Sequence, residues 1–158
     1  QRQMCIRDRN ISAQRFVNEL LPLLPAGTSP NQVVRAWNAM ILDVPERSVE
    51  LLKSLQGKYR LFLLSNTNEI HIPKALNEWH KTTDIEFYDC FEHVYLSHEM
   101  RMRKPNEEIF QRVCEEQSIR PENAVFIDDS LQHIVGAGKV GLNTVHLTPD
   151  MSLYSLFS

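Results

Sequence analysis

Residues 124–142 read AVFIDDSLQHIVGAGKVGL. Ala124–Ile127 is an unbroken apolar run, the pattern of a strand buried on both faces. Asp128 and Asp129 stand at its carboxyl end. Leu131, Ile134 and Ala137 then recur at helical spacing on one stripe, and Gly141 closes the helix. A strand, an acidic turn and a returning helix form the repeating unit of a parallel sheet.

The pattern extends outward in both directions. Thr144–Leu147 reads as a further strand. Toward the N-terminus, Glu107–Glu116 reads as a helix with Ile109, Phe110, Val113 and Cys114 inward, Val94–Leu96 as a short strand, and Pro73–His80 as a helix. Leu61–Leu64 is a second continuous apolar run, followed by the polar loop Ser65–Glu69. Alternating strands and helices predict an α/β fold, a parallel sheet with helices on both faces. Ligands in such sheets bind beyond the carboxyl ends of the strands. Ser65 and the Asp128-Asp129 pair both fall at such ends.

Before Gly57 the pattern is helical throughout. Ser12 is placed to cap a helix carrying Phe16, Leu20, Leu23 and Leu24, which Pro25 and Gly27 end. Ser29-Pro30-Asn31-Gln32 is a capping box with proline at the first helical position. It opens a helix through Val33, Val34, Trp37, Met40 and Ile41. Asp43-Val44-Pro45-Glu46 predicts a second box, ahead of a helix with Val49, Leu52 and Leu55.

Composition narrows the function classes. The 158 residues, with 42% hydrophobic and 23% charged, suit one soluble domain. A net charge of -3 offers no basic surface for nucleic acid and no polybasic membrane anchor. No apolar run approaches the roughly 20 residues of a spanning helix. Cys5, Cys90 and Cys114 make no C-x-x-C spacing, which argues against a disulfide framework or a zinc site and fits a reducing cytoplasm. The six histidines are scattered, without helical ligand spacing.

Three polar features carry the chemistry: Ser65-Asn66-Thr67 after one strand, Lys104-Pro105 before a helix, and Asp128-Asp129 after another strand. Each has an ordinary explanation alone. Serine after a strand is commonly a turn residue, Lys-Pro says little, and Asp129 or Ser130 could simply cap the next helix. In combination they suit a phosphate-plus-magnesium site. A hydroxyl and loop N–H groups hold phosphate oxygens, lysine brings a point charge, and paired carboxylates suit a hard cation.

The stretches FLLSNTNEIH (62–71), MRKPNEEIF (102–110) and VFIDDSLQHIVGAGKVGL (125–142) resemble motifs II, III and IV of the haloacid dehalogenase superfamily. The S-N-T-N-x-x-H wording is similar to the subgroup containing sugar-phosphate phosphatases, such as the bacterial glucose-1-phosphate phosphatase. The similarity runs from Asn10 to about Pro149. It implies a Rossmann-like sheet at 45–158 preceded by part of a helical cap at 10–44. It also implies a magnesium-dependent phosphatase for a small phosphorylated metabolite, including a sugar phosphate. By this resemblance Ser65 would hydrogen-bond the phosphoryl group and Asn66 would line the same pocket. Lys104 would offset charge on phosphate and nucleophile. Asp128 and Asp129 would orient Mg²⁺, and the intact protein would be a monomer or weak dimer.

The departures are specific. The family's nucleophile lies in motif I, an apolar strand ending D-x-D or D-x-G, and the sequence offers no match. Asp8 sits among arginines with no strand before it and is not assigned the role. QRQMCIRDR (1–9) has no periodicity, cap or signal-peptide core and is read as a non-native or disordered leader, with the real protein continuing upstream. Lacking the central strand, Leu61–Leu64 and Ala124–Ile127 would face a gap, so the chain is expected to be an inactive fragment of low stability. Arg101 stands where the family resemblance implies glycine or another small residue, and His133 where it implies asparagine. Two alternatives are a 2-haloacid dehalogenase, which the acidic pair argues against, and a degenerate binding module. A two-component receiver domain is excluded by motif order. Trp37 and the Leu153–Phe157 tail are expected to pack internally.

Overall fold

The computed structural model describes residues 12–157. The leader at 1–9, with Asp8 and Cys5, lies outside the described residues. The chain divides into two compact units, one ending at His98 and the other beginning at Glu99.

The first unit opens with three helices, α1 (Ala13–Leu20), α2 (Pro30–Asn38) and α3 (Glu46–Leu55). Two of the three predicted caps form. The Ser12 side chain accepts from the Arg15 N–H. Ser29 and Gln32 close a reciprocal capping box, in which the Ser29 backbone N–H donates to Gln32 Oε1 at 2.7 Å. The Asp43 box does not form. Pro45 occupies the cap position of α3 without a side-chain hydrogen bond; the turn is held by the Ser48 N–H, which donates to the Pro45 carbonyl at 2.8 Å, and by Thr82 Oγ1, which donates to the Val44 carbonyl. Proline supplies a fixed φ that suits a helix entry but no capping oxygen.

Leu23 and Leu24 also depart from expectation. After Leu20 the chain tightens into a 3-10 turn, Leu21–Leu23. The 3.6-residue stripe is lost there, and both side chains are exposed.

β1 (Phe62–Ser65), α4 (His71–Thr82) and β2 (His93–Leu96) complete the first unit. β1 and β2 pair in parallel, with Ser65 opposite Leu96. One core cluster joins Phe16, Val17, Val33 and Ile70, with Trp37 half-buried against it. A second joins Val49, Trp79 and Cys90, where the Trp79 indole N–H donates to the Ile85 carbonyl at 2.6 Å.

A one-turn helix α5 (Ser97–Met100) follows β2. The second unit then carries α6 (Glu107–Glu116), β3 (Val125–Asp128), α7 (Leu131–Lys139) and β4 (Asn143–His146). β3 and β4 pair in parallel, Asp128 opposite His146. Ile109, Phe110, Cys114, Ile134 and Ala137 are buried, and the Phe110 ring meets Phe126 edge-on at 5.1 Å. Leu153–Phe157 is a 3-10 turn, half-buried at Leu153, Tyr154 and Leu156.

Two expectations about burial change in this unit. Leu131 is 59% exposed. At the first position of α7 it shares an i, i+4 stripe with exposed Val135, while His133, Ile134, Gly136 and Ala137 turn inward. The apolar runs at 61–64 and 124–127 are half-buried rather than buried on both faces, and Val125 is exposed. Among the described residues each strand pairs with one other, and a strand pair gives less cover than a wide sheet. No helix of the described residues is long and apolar enough to cross a membrane.

Candidate functional site

The structure places the predicted residues in two groups, one in each unit. In the second unit, β3 delivers Asp128 at its end, as the strand-plus-acidic-turn pattern predicts. The Lys104 ammonium donates to Asp128 Oδ2 at 2.7 Å, and both side chains are over nine-tenths buried. The other carboxylate oxygen is also engaged. Asp128 Oδ1 accepts the Ser130 backbone N–H at 2.8 Å and contacts His133 Nδ1 at 2.9 Å. Burial pushes the Asp128 carboxyl up, but Lys104, the Ser130 N–H and His133 outweigh it and hold the group below its ordinary range. Asp128 is therefore an ionised, fully hydrogen-bonded carboxylate under a buried cation. The Phe126 ring, 5.3 Å from the ammonium, adds a cation–π contact.

Asp129 is placed differently. Its side chain is exposed, its carboxylate meets no partner among the described residues, and its backbone carbonyl lies 3.1 Å from His146 Nε2. One carboxylate of the pair is thus locked to a lysine, and the next is open to solvent.

The local backbone explains this placement. Arg101 adopts φ +53°, the left-handed region that favours glycine, which accounts for the expectation of glycine there. The Lys104-Pro105 bond is cis. Gly136 is required on α7, because a Cβ there would stand 2.2 Å from the Pro105 carbonyl oxygen. This close approach brings the Lys104 loop against α7, which also carries His133. An open hollow of about 690 Å³ beside α7 is lined mainly by apolar groups, among them Leu131 and Val135, and does not include the Lys104–Asp128 pair.

In the first unit, β1 delivers Ser65 at its end. Ser65 Oγ meets no hydrogen-bond partner among the described residues, and the residue is half-buried with Asn66. The loop beyond is pinned twice. Buried Ser97 accepts the Thr67 N–H at 3.0 Å and donates to the Thr67 carbonyl at 3.1 Å. Buried Asn68 accepts the N–H groups of Ile70 and His71 through Oδ1, each at 3.0 Å. Side chains thus hold this loop in a fixed conformation.

His133, Ser97 and Asn68 were not chosen from sequence. His133 carried a signal, a polar residue on the inward stripe of an apolar helix five positions after Asp128. Ser97 carried none beyond following a strand.

Mg²⁺ takes six oxygens, often from one or two carboxylates, waters and substrate phosphate. Asp129 supplies a free carboxylate of that kind, whereas both oxygens of the adjoining Asp128 already accept hydrogen bonds, so Asp128 would meet a cation only through a remaining lone pair or a water. Among the described residues no group of three His, Cys, Asp or Glu side chains could hold a metal alone.

Comparison with known proteins gives the family. Residues 13–141 match the family model for haloacid dehalogenase-like hydrolases. The chain is 24% identical over 139 residues to a D-ribitol-5-phosphate phosphatase of Bacteroides thetaiotaomicron, covering 88% of this chain and 68% of the relative. It is 31% identical over 104 residues to a glyceraldehyde 3-phosphate phosphatase of Pyrococcus furiosus, covering 65% of this chain but only 41% of that one. A crystal structure of a haloacid dehalogenase family enzyme from Bacteroides thetaiotaomicron, in complex with magnesium and inorganic phosphate, superposes with a TM-score of 0.89 at 33% identity. That match covers 96% of this chain and 77% of the enzyme. The motifs, the fold and these matches agree, and the chain belongs to the haloacid dehalogenase-like hydrolases.

Proposed function

We propose that the chain carries the phosphate- and cation-handling residues of a magnesium-dependent phosphatase for small hydroxylated phosphate esters, the sugar and polyol phosphates. The observation that carries this reading is the buried Lys104–Asp128 pair, fixed by Ser130 and His133, with the free carboxylate of Asp129 next in sequence. Relatives named for ribitol-5-phosphate and glyceraldehyde 3-phosphate support the substrate class. In the second unit, Lys104 offsets negative charge on a phosphoryl group, and Asp128 holds its ammonium in place. Asp129, with Asp128, is proposed to hold Mg²⁺, which supplies charge stabilisation to phosphoryl oxygens when bound. In the first unit, the unpartnered Ser65 hydroxyl is proposed to donate to a phosphoryl oxygen, and Asn66 to bind phosphate from the same loop.

No described residue matches the D-x-D or D-x-G nucleophile, so this chain is proposed to bind phosphate esters without turning them over. The acidic pair argues against the 2-haloacid dehalogenase reading, although an (S)-2-haloacid dehalogenase of Burkholderia cepacia is 26% identical over 103 residues. The test is to incubate the chain with Mg²⁺ and a panel of phosphate esters, following binding by calorimetry and release of inorganic phosphate by colorimetry. Saturable, magnesium-strengthened binding without release is the expected result. Absence of binding to any ester, or to phosphate itself, overturns the reading.

A further inference from the structure

The Asp129 carboxylate is exposed and meets no partner among the described residues, so the direction it takes is set by its backbone. Two planar peptide groups flank it. The first ends in the Asp128 carbonyl, which accepts the Leu147 N–H at 3.0 Å. The second joins the Asp129 carbonyl to the Ser130 N–H. That N–H donates to Asp128 Oδ1 at 2.8 Å, and the Asp129 carbonyl oxygen lies 3.1 Å from His146 Nε2. A carbonyl oxygen only accepts, so Nε2 carries a hydrogen and donates it. Both peptide planes beside Asp129 are therefore held, and with them its φ and ψ.

His146 is the holder that lies outside the acidic pair and its turn and acts through a side chain. It closes β4 and stands opposite Asp128 in the strand register. The backbone pairing of β3 with β4 runs out at the Leu147 N–H, and the His146 ring extends it by one bond, onto the turn that carries Asp129. The half-buried ring makes no other hydrogen bond or ion pair among the described residues. Its polar capacity within the described fold is spent on this one carbonyl.

We infer that His146 is a positioning residue for the cation site, holding the 129–130 peptide so that Asp129 presents its carboxylate to Mg²⁺ from a fixed backbone. It touches neither cation nor phosphate and acts through Asp129. Mg²⁺ demands near-ideal octahedral geometry, and groups that orient a ligand from outside change metal affinity by roughly 10–100-fold. The inference rests on the reading of Asp129 as a magnesium ligand and adds the residue that aims it.

The test compares wild type, His146→Ala and His146→Gln, whose side-chain amide can donate to the same carbonyl. Each is titrated calorimetrically with inorganic phosphate over a series of Mg²⁺ concentrations and in EDTA. His146→Ala is expected to raise the Mg²⁺ concentration needed to strengthen phosphate binding by about 10-fold, with phosphate affinity in EDTA unchanged. His146→Gln is expected to recover most of that loss, which a role confined to ring packing would not. The backbone contact is read separately, without Mg²⁺, in chain labelled with ¹³C and ¹⁵N. The Asp129 carbonyl ¹³C signal is expected to shift in His146→Ala and to return toward wild type in His146→Gln. In the wild type, long-range ¹H–¹⁵N correlations of the neutral ring are expected to place its hydrogen on Nε2, a measurement that needs no variant to fold. A ring hydrogen on Nδ1, an Asp129 carbonyl unmoved in His146→Ala, or an equal Mg²⁺ requirement in wild type and His146→Ala overturns the inference. Wild-type phosphate affinity indifferent to Mg²⁺ overturns instead the reading of Asp129 as a ligand, and the carbonyl signal then decides the His146 contact by itself.

Discussion

Asp128 shows how much depends on single partners in this chain. Both its oxygens are engaged, by Lys104 on one side and by Ser130 and His133 on the other. Lys104→Met leaves a buried carboxylate without its cation and should cost about 3 kcal/mol of stability, read as a lower urea midpoint. His133→Ala should cost about 1–2 kcal/mol by leaving Oδ1 short of a donor, whereas His133→Asn should recover part of that. Equal losses in the two variants would show that ring packing, not the hydrogen bond, is what His133 supplies. His71 gives the pH dependence. Burial lowers its folded pKa below the ordinary 6.5. Between those two values the unfolded chain holds a proton that the folded chain lacks, so stability is full above about 6.5 and falls as pH drops through that window. Urea melts at stepped pH should show this slope, and His71→Asn should flatten it. At this scale the places of Ser65 at the end of β1 and of Asp128 at the end of β3 were legible in sequence, because an apolar run ending in a polar residue marks a strand end. The partners were not, since the chain carries no mark of which buried nitrogen will face which oxygen.

At the scale of elements, local chemistry that acts over three or four residues was read correctly. Ser12 and Ser29 cap where they stand, and α6 has the predicted bounds, Glu107–Glu116. One failure is itself local: Pro45 takes the cap position that Asp43 was expected to fill. The other comes where tertiary geometry overrides local pattern, because the inward stripe of α7 is set by its approach to Pro105 and leaves Leu131 facing outward. That approach is testable. Gly136→Ala puts a Cβ against the Pro105 carbonyl oxygen, which belongs to backbone and cannot swing aside. It should destabilise the chain by about 1–3 kcal/mol despite the better helix propensity of alanine. A neutral or stabilising result would mean that α7 and the Lys104 loop are free to separate. Arg101→Gly should act in the opposite direction. It relieves a left-handed residue at φ +53°, with an expected gain of about 0.5–1 kcal/mol in the same urea melts.

For the whole molecule, the sequence carried the fold class and the family, because three motifs in fixed order lie at strand ends and at a lysine loop. The expected gap beside 61–64 and 124–127 agrees with the described strands forming two parallel pairs, but which strand partners each was not revealed. Pairing depends on partners distant in sequence, and an apolar run has the same appearance in a narrow sheet as in a wide one. Ser65 and Asn66 belong to the first unit, Lys104, Asp128 and Asp129 to the second. The central claim concerns the second group, that a lysine-locked aspartate beside an open one makes a phosphate site strengthened by magnesium. The most direct measurement is calorimetric titration of the chain with inorganic phosphate, with Mg²⁺ and with EDTA, for wild type and Asp129→Asn. The account predicts tighter phosphate binding with Mg²⁺ in the wild type. In Asp129→Asn it predicts loss of that magnesium dependence with thermal stability unchanged, since Asp129 is exposed and its carboxylate makes no contact within the described fold. Phosphate affinity indifferent to magnesium in the wild type, or a full magnesium effect retained in Asp129→Asn, would contradict it.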